Sequence, residues 1–257
     1  TTPDEDNFFG KFASYEPNPE RATHTSKTNP ELGISYKSWQ YSAAGVTAVW
    51  AEENTRGAIF DAMERRETYA TTGPRMRVRF FGGWDFEEAD ARRRDLALLG
   101  YSKGVPMGAD LPAGEGTPSF LVYALRDPMG ANLDRIQIVK GWLDAEGKPQ
   151  EKVYDVVWSG ERQPDTNGKL PPVGDTVDLS VPSWTNTIGA SELGAVWVDP
   201  DFDPDLRAFY YARAIEIPTP RWTAYDRVKF KLELPPDIPL KTQERAYTSP
   251  IWYTPKS

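Results

Sequence analysis

The sequence predicts an α+β fold in which one strand–helix–strand unit precedes a mainly antiparallel β-sandwich. Two observations support this prediction. Between residues 44 and 74, two short apolar runs flank a segment with helical spacing. From residue 75 onward, apolar residues recur at every second position in several short runs, which Gly-, Pro- and Asp-containing turns separate. The 257 residues suffice for one large domain or two ordinary ones, and we expect two units, 1–74 and 75–257.

The strand–helix–strand unit begins with the run AGVTAVWA (44–51), whose small and β-branched residues are typical of buried parallel strands. A helix is predicted over 55–67, and Asn54 or Thr55 can accept its first free backbone amides. Its apolar face at helical spacing consists of Ala58, Ile59, Ala62 and Met63. The run TYATTGP (68–74) then predicts a second strand.

The alternation of apolar and charged residues that is typical of a strand begins in RMRVRFF (75–81). Its two faces consist of Met76, Val78 and Phe80 on one side and of Arg75, Arg77 and Arg79 on the other. The arginine row could clamp an anion, but a solvated strand face or an ion-pair surface is the commoner explanation. One helix ending at Gly100 is predicted within 86–100. The further strands are predicted over 119–126, 133–143, 152–159, 194–198, 208–217, 227–234 and 245–254.

The composition excludes several functional classes. The net charge of −8 argues against a nucleic-acid or anionic-membrane surface, which needs a dense basic field. The longest apolar runs, such as FLVYAL (120–125), fall far short of the roughly 20 residues of a membrane span. With no cysteine and one histidine, the chain has no disulfide, no thiolate nucleophile and no multi-His metal site of its own.

The first candidate site follows the first predicted strand, where Glu52, Glu53 and Arg56 precede the predicted helix. In α/β sheets, chemistry collects where strands end and helices begin, because side chains converge there on an open crevice. Two adjacent carboxylates with a nearby guanidinium suit the orientation of an anion or the support of metal ligands. The competing interpretation is helix capping, in which acidic side chains complement the positive helix terminus.

Two further patterns are weaker. His24 lies in the polar, proline-interrupted stretch 16–33, which predicts a long surface loop, and an ordinary exposed histidine is the simpler interpretation. An alternation of aspartates resembles calcium-binding loops but lacks the loop glycine and the closing acid. Its residues, which equally fit an extended connection between strands, are Asp199, Asp201, Asp203 and Asp205.

Several long strings resemble a known family, catalogued as domain of unknown function 3604 and related to the PHP (polymerase and histidinol phosphatase) metal-dependent hydrolases. The strings are AVWAEENTRGAIFDAMERRETYATTGPRMRVRFFGGW (48–84), YSKGVPMGADL (101–111), DRIQIVKGWLDAEGK (134–148), AFYYARAIEIPTPRW (208–222) and RAYTSPIWYT (245–254). The resemblance implies a distorted β/α barrel with a cluster of divalent metals (Mn, Zn or Mg) that hydrolyses phosphate or sulfate esters. In such proteins the metals are held by His-x-His, Asp, Glu and a late Asp-x-His pair.

This chain departs from that pattern because it has none of the paired-histidine motifs. Its first segment, TTPDEDNFFGKF (1–12), resembles the family just after the late Asp-x-His position. The resemblance therefore implies that the chain is the C-terminal part of a longer protein and holds no metal alone. We expect residues 1–74 to complete a PHP-like barrel with the N-terminal portion as a separate chain, since one strand–helix–strand unit cannot close a barrel of around eight strands. A homo-oligomer is also left open.

Two functions follow. In the first, the chain is part of a metal-dependent ester hydrolase and inactive alone; Glu52, Glu53 and Arg56 line the pocket, and His24 contacts its rim. Metal-bound hydroxide would attack phosphorus or sulfur. In the second, the chain is a non-catalytic β-sandwich module, whose tryptophans are mostly core but could include a platform for a glycan or a protein partner. A periplasmic or secreted location is expected, because relatives of the family are often exported.

Overall fold

The computed structural model describes residues 17–29, 31, 33–40 and 45–255. Within these residues, the α-helices are α1 (Arg56–Glu64), α2 (Leu96–Lys103) and α3 (Trp222–Lys229), and 3₁₀ turns cover Ser38–Gln40 and Glu88–Arg92. The strands in chain order are β1 (Thr25–Asn29), β2 (Ile34–Lys37), β3 (Val46–Val49), β4 (Thr68–Thr71), β5 (Arg77–Gly83), β6 (Gly104–Pro106), β7 (Asp110–Leu111), β8 (Ser119–Leu125), β9 (Leu133–Leu143), β10 (Pro149–Trp158), β11 (Glu192–Val198), β12 (Ala208–Glu216), β13 (Thr219–Pro220), β14 (Lys241–Thr242), β15 (Arg245–Thr248) and β16 (Ile251–Tyr253).

Two sheets face each other across the main core. The larger has the order β10-β9-β12-β15-β4-β3, with β16 on β12 and β7 on β16; the smaller has the order β11-β8-β5-β6. All neighbours in these sheets are antiparallel except β7 and β16. Inward-facing residues of both sheets form the core, among them Phe80, Phe120, Ile138, Tyr210 and Ile251. The fold is therefore a β-rich α+β fold with sandwich-like antiparallel sheets, as the period of two predicts.

The smaller sheet is covered on its outer face as well. Phe81 and Leu121 point away from the main core and pack with Phe86 and with Leu96 of α2. The helix predicted to end at Gly100 continues to Lys103. A Cβ at Gly100 would lie 2.5 Å from the Phe81 ring, so this glycine permits close packing of the helix on the sheet. The sequence-based helix end is therefore wrong, because a glycine needed for packing resembles a glycine that stops a helix.

The predicted strand–helix–strand unit is present as β3, α1 and β4. Thr55 caps α1, since its Oγ1 accepts a hydrogen bond from the Ala58 amide at 3.3 Å. The parallel character expected for 44–51 is wrong: β3 pairs antiparallel with β4 and is a half-exposed edge strand. The short helix returns the chain beside β3 in the opposite direction. Because β4 also pairs with β15, hydrogen bonds cross the expected division at residue 74, and that division stays a prediction.

Two other segments differ from expectation. The predicted loop over 16–33 contains β1, which pairs with β2 in a hairpin whose turn includes Gly33 at φ +63°. The strand expected over 227–234 is wrong, since α3 covers its first residues. Neither difference follows from the local pattern; α3 is anchored by a buried ion pair to a distant segment. Residues 1–12, which carry part of the resemblance, lie outside the described residues.

The described part of the chain contains no helix that is long and apolar enough to cross a bilayer.

Candidate functional site

The candidate residues Glu52, Glu53 and Arg56 lie exposed where the chain passes from β3 into α1. The local capping bond comes from Thr55 and not from either glutamate. These side chains therefore face solvent at an edge of the larger sheet. Their proposed role in a pocket stays a prediction.

Close to the connection between β3 and α1, the half-buried Arg79 of the predicted arginine row forms an ion pair with the buried Glu67. The guanidinium carbon of Arg79 lies 3.4 Å from the ring centroid of Trp50, and its Nη1 lies 3.4 Å from Glu67 Oε1. The Tyr101 hydroxyl donates to the same Glu67 oxygen. Glu67 is buried, and a second guanidinium, that of Arg65, lies 3.7 Å from its Oε2. Arg79 thus links the segment between α1 and β4 to α2, and its guanidinium is already engaged within the protein. Arg75 and Arg77 are exposed, so an anion-binding role of the row stays a prediction.

His24 belongs to a different part of the molecule. Its side chain is exposed, its amide donates to the Glu20 carbonyl at 2.9 Å, and its carbonyl accepts from Ser38 at 2.9 Å. The segment is held against α3 by Arg21, whose buried guanidinium donates to Asp226 Oδ1 at 2.6 Å. His24 and the residues at the start of α1 are therefore carried by separate elements.

The acidic alternation connects β11 to β12, and its first member is engaged by protein donors. Lys140 Nζ and the Tyr210 hydroxyl each lie 2.7 Å from Asp199 Oδ2, and all three residues are buried. The buried carboxylate of Asp199 is therefore paired with the ammonium group of Lys140 and hydrogen-bonded by Tyr210. Throughout the described residues, no group of three or more His, Cys, Asp or Glu side chains is placed to hold a metal. The described donor set therefore does not fit the metal cluster that the resemblance implies.

The main candidate site is a cleft of about 600 Å³ at one end of the sandwich, near the end of β12. It is formed by the β4–β5 and β8–β9 connections, the start of α3 and the chain around β15. The residues that line it are Thr72, Gly73, Pro74, Asp127, Met129, Gly130, Ala131, Trp184, Glu216, Thr219, Pro220, Arg221, Trp222, Tyr225, Thr242, Gln243, Glu244, Arg245 and Tyr247. None of the four residues predicted from sequence lies among them.

Glu216 is the unusual residue of this cleft. Along β12 every second residue is buried, namely Ala208, Tyr210, Ala212, Ala214 and Glu216. The register places this carboxyl on the core-facing side of the strand, 1% exposed, next to a bulge in the pairing of β12 with β9. Sequence reasoning missed it, although an acid in phase with four apolar positions is a signal that could have found it.

The surroundings of Glu216 favour its protonated form. Burial, and after it the negative charges of Glu244 and Asp127, raise its pKa to about 8. A hydrogen bond from the Ala131 amide and the positive charge of Arg126 lower the pKa by less. The Glu216 Oε1 atom is buried and has no hydrogen-bond partner. A buried acid of this kind can donate a hydrogen bond at neutral pH, as a charged glutamate cannot.

The other charges of the cleft balance one another. Asp127 accepts from the Arg75 amide at 2.7 Å and from the Met129 amide at 2.9 Å, and Glu244 accepts from the Thr72 hydroxyl. The guanidinium groups of the lining belong to Arg221 and Arg245. With Glu216 protonated, two carboxylates face two guanidinium groups.

Four half-buried aromatic rings complete the cleft, from Trp184, Trp222, Tyr225 and Tyr247. Trp222 is held from behind by Arg21, whose guanidinium carbon lies 4.9 Å from its ring centroid. The arrangement combines ring faces, polar edges and one buried hydrogen-bond donor, which is the usual composition of a small-molecule site.

Comparison with known families gives one finding. Residues 1–255 match the family model described as Protein of unknown function (DUF3604). No curated protein and no solved structure shows a significant match to the chain. This match confirms that the sequence strings resemble this family. Because the match extends over almost all 257 residues, the chain belongs to the DUF3604 family.

Proposed function

We propose that this chain is the C-terminal part of a metal-dependent hydrolase of phosphate or sulfate esters. The proposal rests on the resemblance of its long strings to PHP-related hydrolases. Since the described residues provide no donor set for a metal, the metal ligands would lie mostly on the N-terminal portion of the same protein. No catalytic step is assigned to the described residues, and a periplasmic or secreted location belongs to the same proposal.

The observation that favours a separate metal-binding portion is an exposed apolar surface on α1 and β3, next to Glu52, Glu53 and Arg56. Phe60 and Met63 of α1 are 63% and 52% exposed, and Val46 on the edge strand β3 is 41% exposed. Single exposed apolar residues are ordinary, but here a nine-residue helix lies beside a strand edge that pairs with no other strand among the described residues. Covering roughly 200 Å² of such surface would stabilise an interface by about 5 kcal/mol, at about 25 cal/mol per Å².

In this proposal the partner portion covers α1 and β3, which brings its metals near the start of the helix. Glu52, Glu53 and Arg56 then border the reaction site, where Arg56 orients the anionic ester and the glutamates hold metal ligands in place. His24 contacts the rim from the N-terminal hairpin.

The test compares the chain alone with the chain co-expressed with the portion that carries the metal ligands. Metal content and hydrolysis of a nitrophenyl phosphate and a nitrophenyl sulfate are measured with added Mn²⁺ or Zn²⁺. We expect metal retention and turnover only in the complex. Full turnover by the chain alone would refute the division of labour.

A pair of variants tests the interface itself. Phe60→Ser with Met63→Ser should abolish co-purification of the two portions. Leu98→Ser is the matched control, because Leu98 is 70% exposed on α2, outside the proposed surface. Equal effects of both changes would contradict the assignment of the surface.

The alternative function is a non-catalytic β-sandwich module that binds a glycan or a protein. One observation favours it: described residues of this chain alone line an aromatic cleft at one end of the sandwich. A metal-free chain that binds saccharide would support this function over the first.

A further inference from the structure

We propose that the cleft beside β12 binds an uncharged, polyhydroxylated molecule of saccharide type, with the Glu216 carboxyl group donating a hydrogen bond to a ligand hydroxyl. The inference rests on the alternative function, the binding module, and specifies its site, its ligand class and the residue that recognises the ligand. It is independent of the ester hydrolase proposal.

The charge balance of the cleft selects a neutral ligand. Its lining carries Asp127 and Glu244 against Arg221 and Arg245, with Glu216 protonated. An anionic ligand would meet two carboxylates, and a cationic ligand would meet two guanidinium groups. An uncharged molecule with many hydroxyl groups can accept hydrogen bonds from the guanidinium groups and donate hydrogen bonds to the carboxylates.

Glu216 provides the buried contact that a surface groove lacks. The side chain is 1% exposed, and its Oε1 has no partner within the protein. A buried polar atom without a partner costs free energy that a ligand hydroxyl can recover. Gly130 leaves space beside this oxygen, since a Cβ there would lie 3.3 Å from Glu216 Oε1.

The aromatic rings supply the apolar part of the recognition. Trp184 and Trp222 belong to different segments of the chain. Trp184 lies in the long connection before β11, and Trp222 is the first residue of α3. The flat C–H face of a sugar ring matches such ring faces, whose electron-rich surface attracts the polarised hydrogens. Rigid aromatic side chains also lose little conformational freedom on binding.

Proton binding is coupled to ligand binding at this site. The groups that act on the Glu216 carboxyl are Glu244 from the β15 side, Asp127 and Arg126 from the β8–β9 connection, and the Ala131 amide. Because Glu216 donates in the bound state, affinity is present below its pKa of about 8 and is lost above it. Between pH 7 and pH 9 the protonated fraction falls about tenfold, so affinity should fall about tenfold.

The experiment is saturation-transfer NMR of the whole chain with D-glucose, D-galactose, D-mannose and L-rhamnose, and with glucose 6-phosphate for charge. We expect transfer to at least one neutral sugar, at least tenfold weaker binding of the phosphorylated sugar, and loss of affinity from pH 7 to pH 9. Absence of transfer to every neutral sugar overturns both this inference and the saccharide form of the binding module.

Variants of the cleft residues test whether saccharide binding occurs at this cleft or elsewhere on the chain. Trp184→Ala should reduce affinity at least tenfold, and Glu216→Gln, which keeps a donor group, should bind without the pH dependence. Glu146→Gln, in the exposed β9–β10 turn, is the matched control and should behave as the wild type. Circular dichroism confirms that each variant is folded. Saccharide binding with wild-type affinity in Trp184→Ala and with the wild-type pH dependence in Glu216→Gln would preserve the binding module and refute this site.

Discussion

Replacing Glu216 with glutamine should stabilise the protein, and the gain should depend on pH. The pKa of Glu216 is raised from 4.5 in the unfolded chain to about 8 in the folded one. A raised pKa contributes stability below the unfolded value that is lost as the pH rises toward the folded value, because only the unfolded chain releases the proton there. Keeping the acid protonated costs the folded state about 3 kcal/mol at pH 7 and about 1 kcal/mol at pH 5.

Urea unfolding followed by tryptophan fluorescence measures the free energy of unfolding at both pH values. The advantage of Glu216→Gln over the wild type should grow by about 2.5 kcal/mol from pH 5 to pH 7. Effects of the amide that do not titrate cancel in this difference. Glu146→Gln, an exposed control, should show no growth. An advantage of Glu216→Gln that is the same at both pH values would refute the protonated state on which the site depends.

Two further predictions concern the packing of the sandwich. Asp199→Asn should lower the free energy of unfolding by about 3 kcal/mol, because it leaves the ammonium group of Lys140 buried without its carboxylate. Gly100→Ala should cost about 1–3 kcal/mol, because its Cβ would lie 2.5 Å from the ring of Phe81. Urea unfolding of the purified variants checks both.

The controls make comparable changes, acid to amide and glycine to alanine, at exposed positions. Glu146→Gln removes an exposed charge and should change stability by less than about 0.5 kcal/mol. Gly57→Ala on α1 should be neutral or should stabilise by up to about 1 kcal/mol, since a Cβ there meets nothing within 4 Å. A neutral Asp199→Asn would show that the pair is dispensable, and a neutral Gly100→Ala would show that α2 can move away from the sheet.

The β-rich part of the fold is readable from local pattern because one face of each strand is buried. The alternation in 75–81 identifies β5, and Met76, Val78 and Phe80 are buried. β9, predicted over 133–143, begins at Leu133 and ends at Leu143. The cap of α1 by Thr55 is equally local. These local patterns predict the structure because their causes are local: one face of a strand is buried, and a capping side chain accepts a hydrogen bond from the first helical amides.

Other elements depend on contacts between distant segments. The run RVKFKLEL (227–234) alternates like a strand, yet Asp226 pairs with Arg21, about 200 positions earlier in the chain, and the segment begins as helix. The antiparallel course of β3 depends likewise on where β4 and β15 meet. No local window contains these partners, so the local preference is overridden.

The amino-acid sequence alone determined the family, the β-rich α+β class and the position of most strands, and it shows that these 257 residues contain no cysteine and one histidine. These properties depend on composition, on short-range periodicity and on long characteristic strings. Only the tertiary structure decided that Glu216, Asp127 and Glu244 meet in one cleft, that Asp199 is held by Lys140, and that Glu52 and Glu53 remain exposed. The physical reason is that the environment of a polar group, its burial and its charged neighbours, is made by segments far apart in the chain.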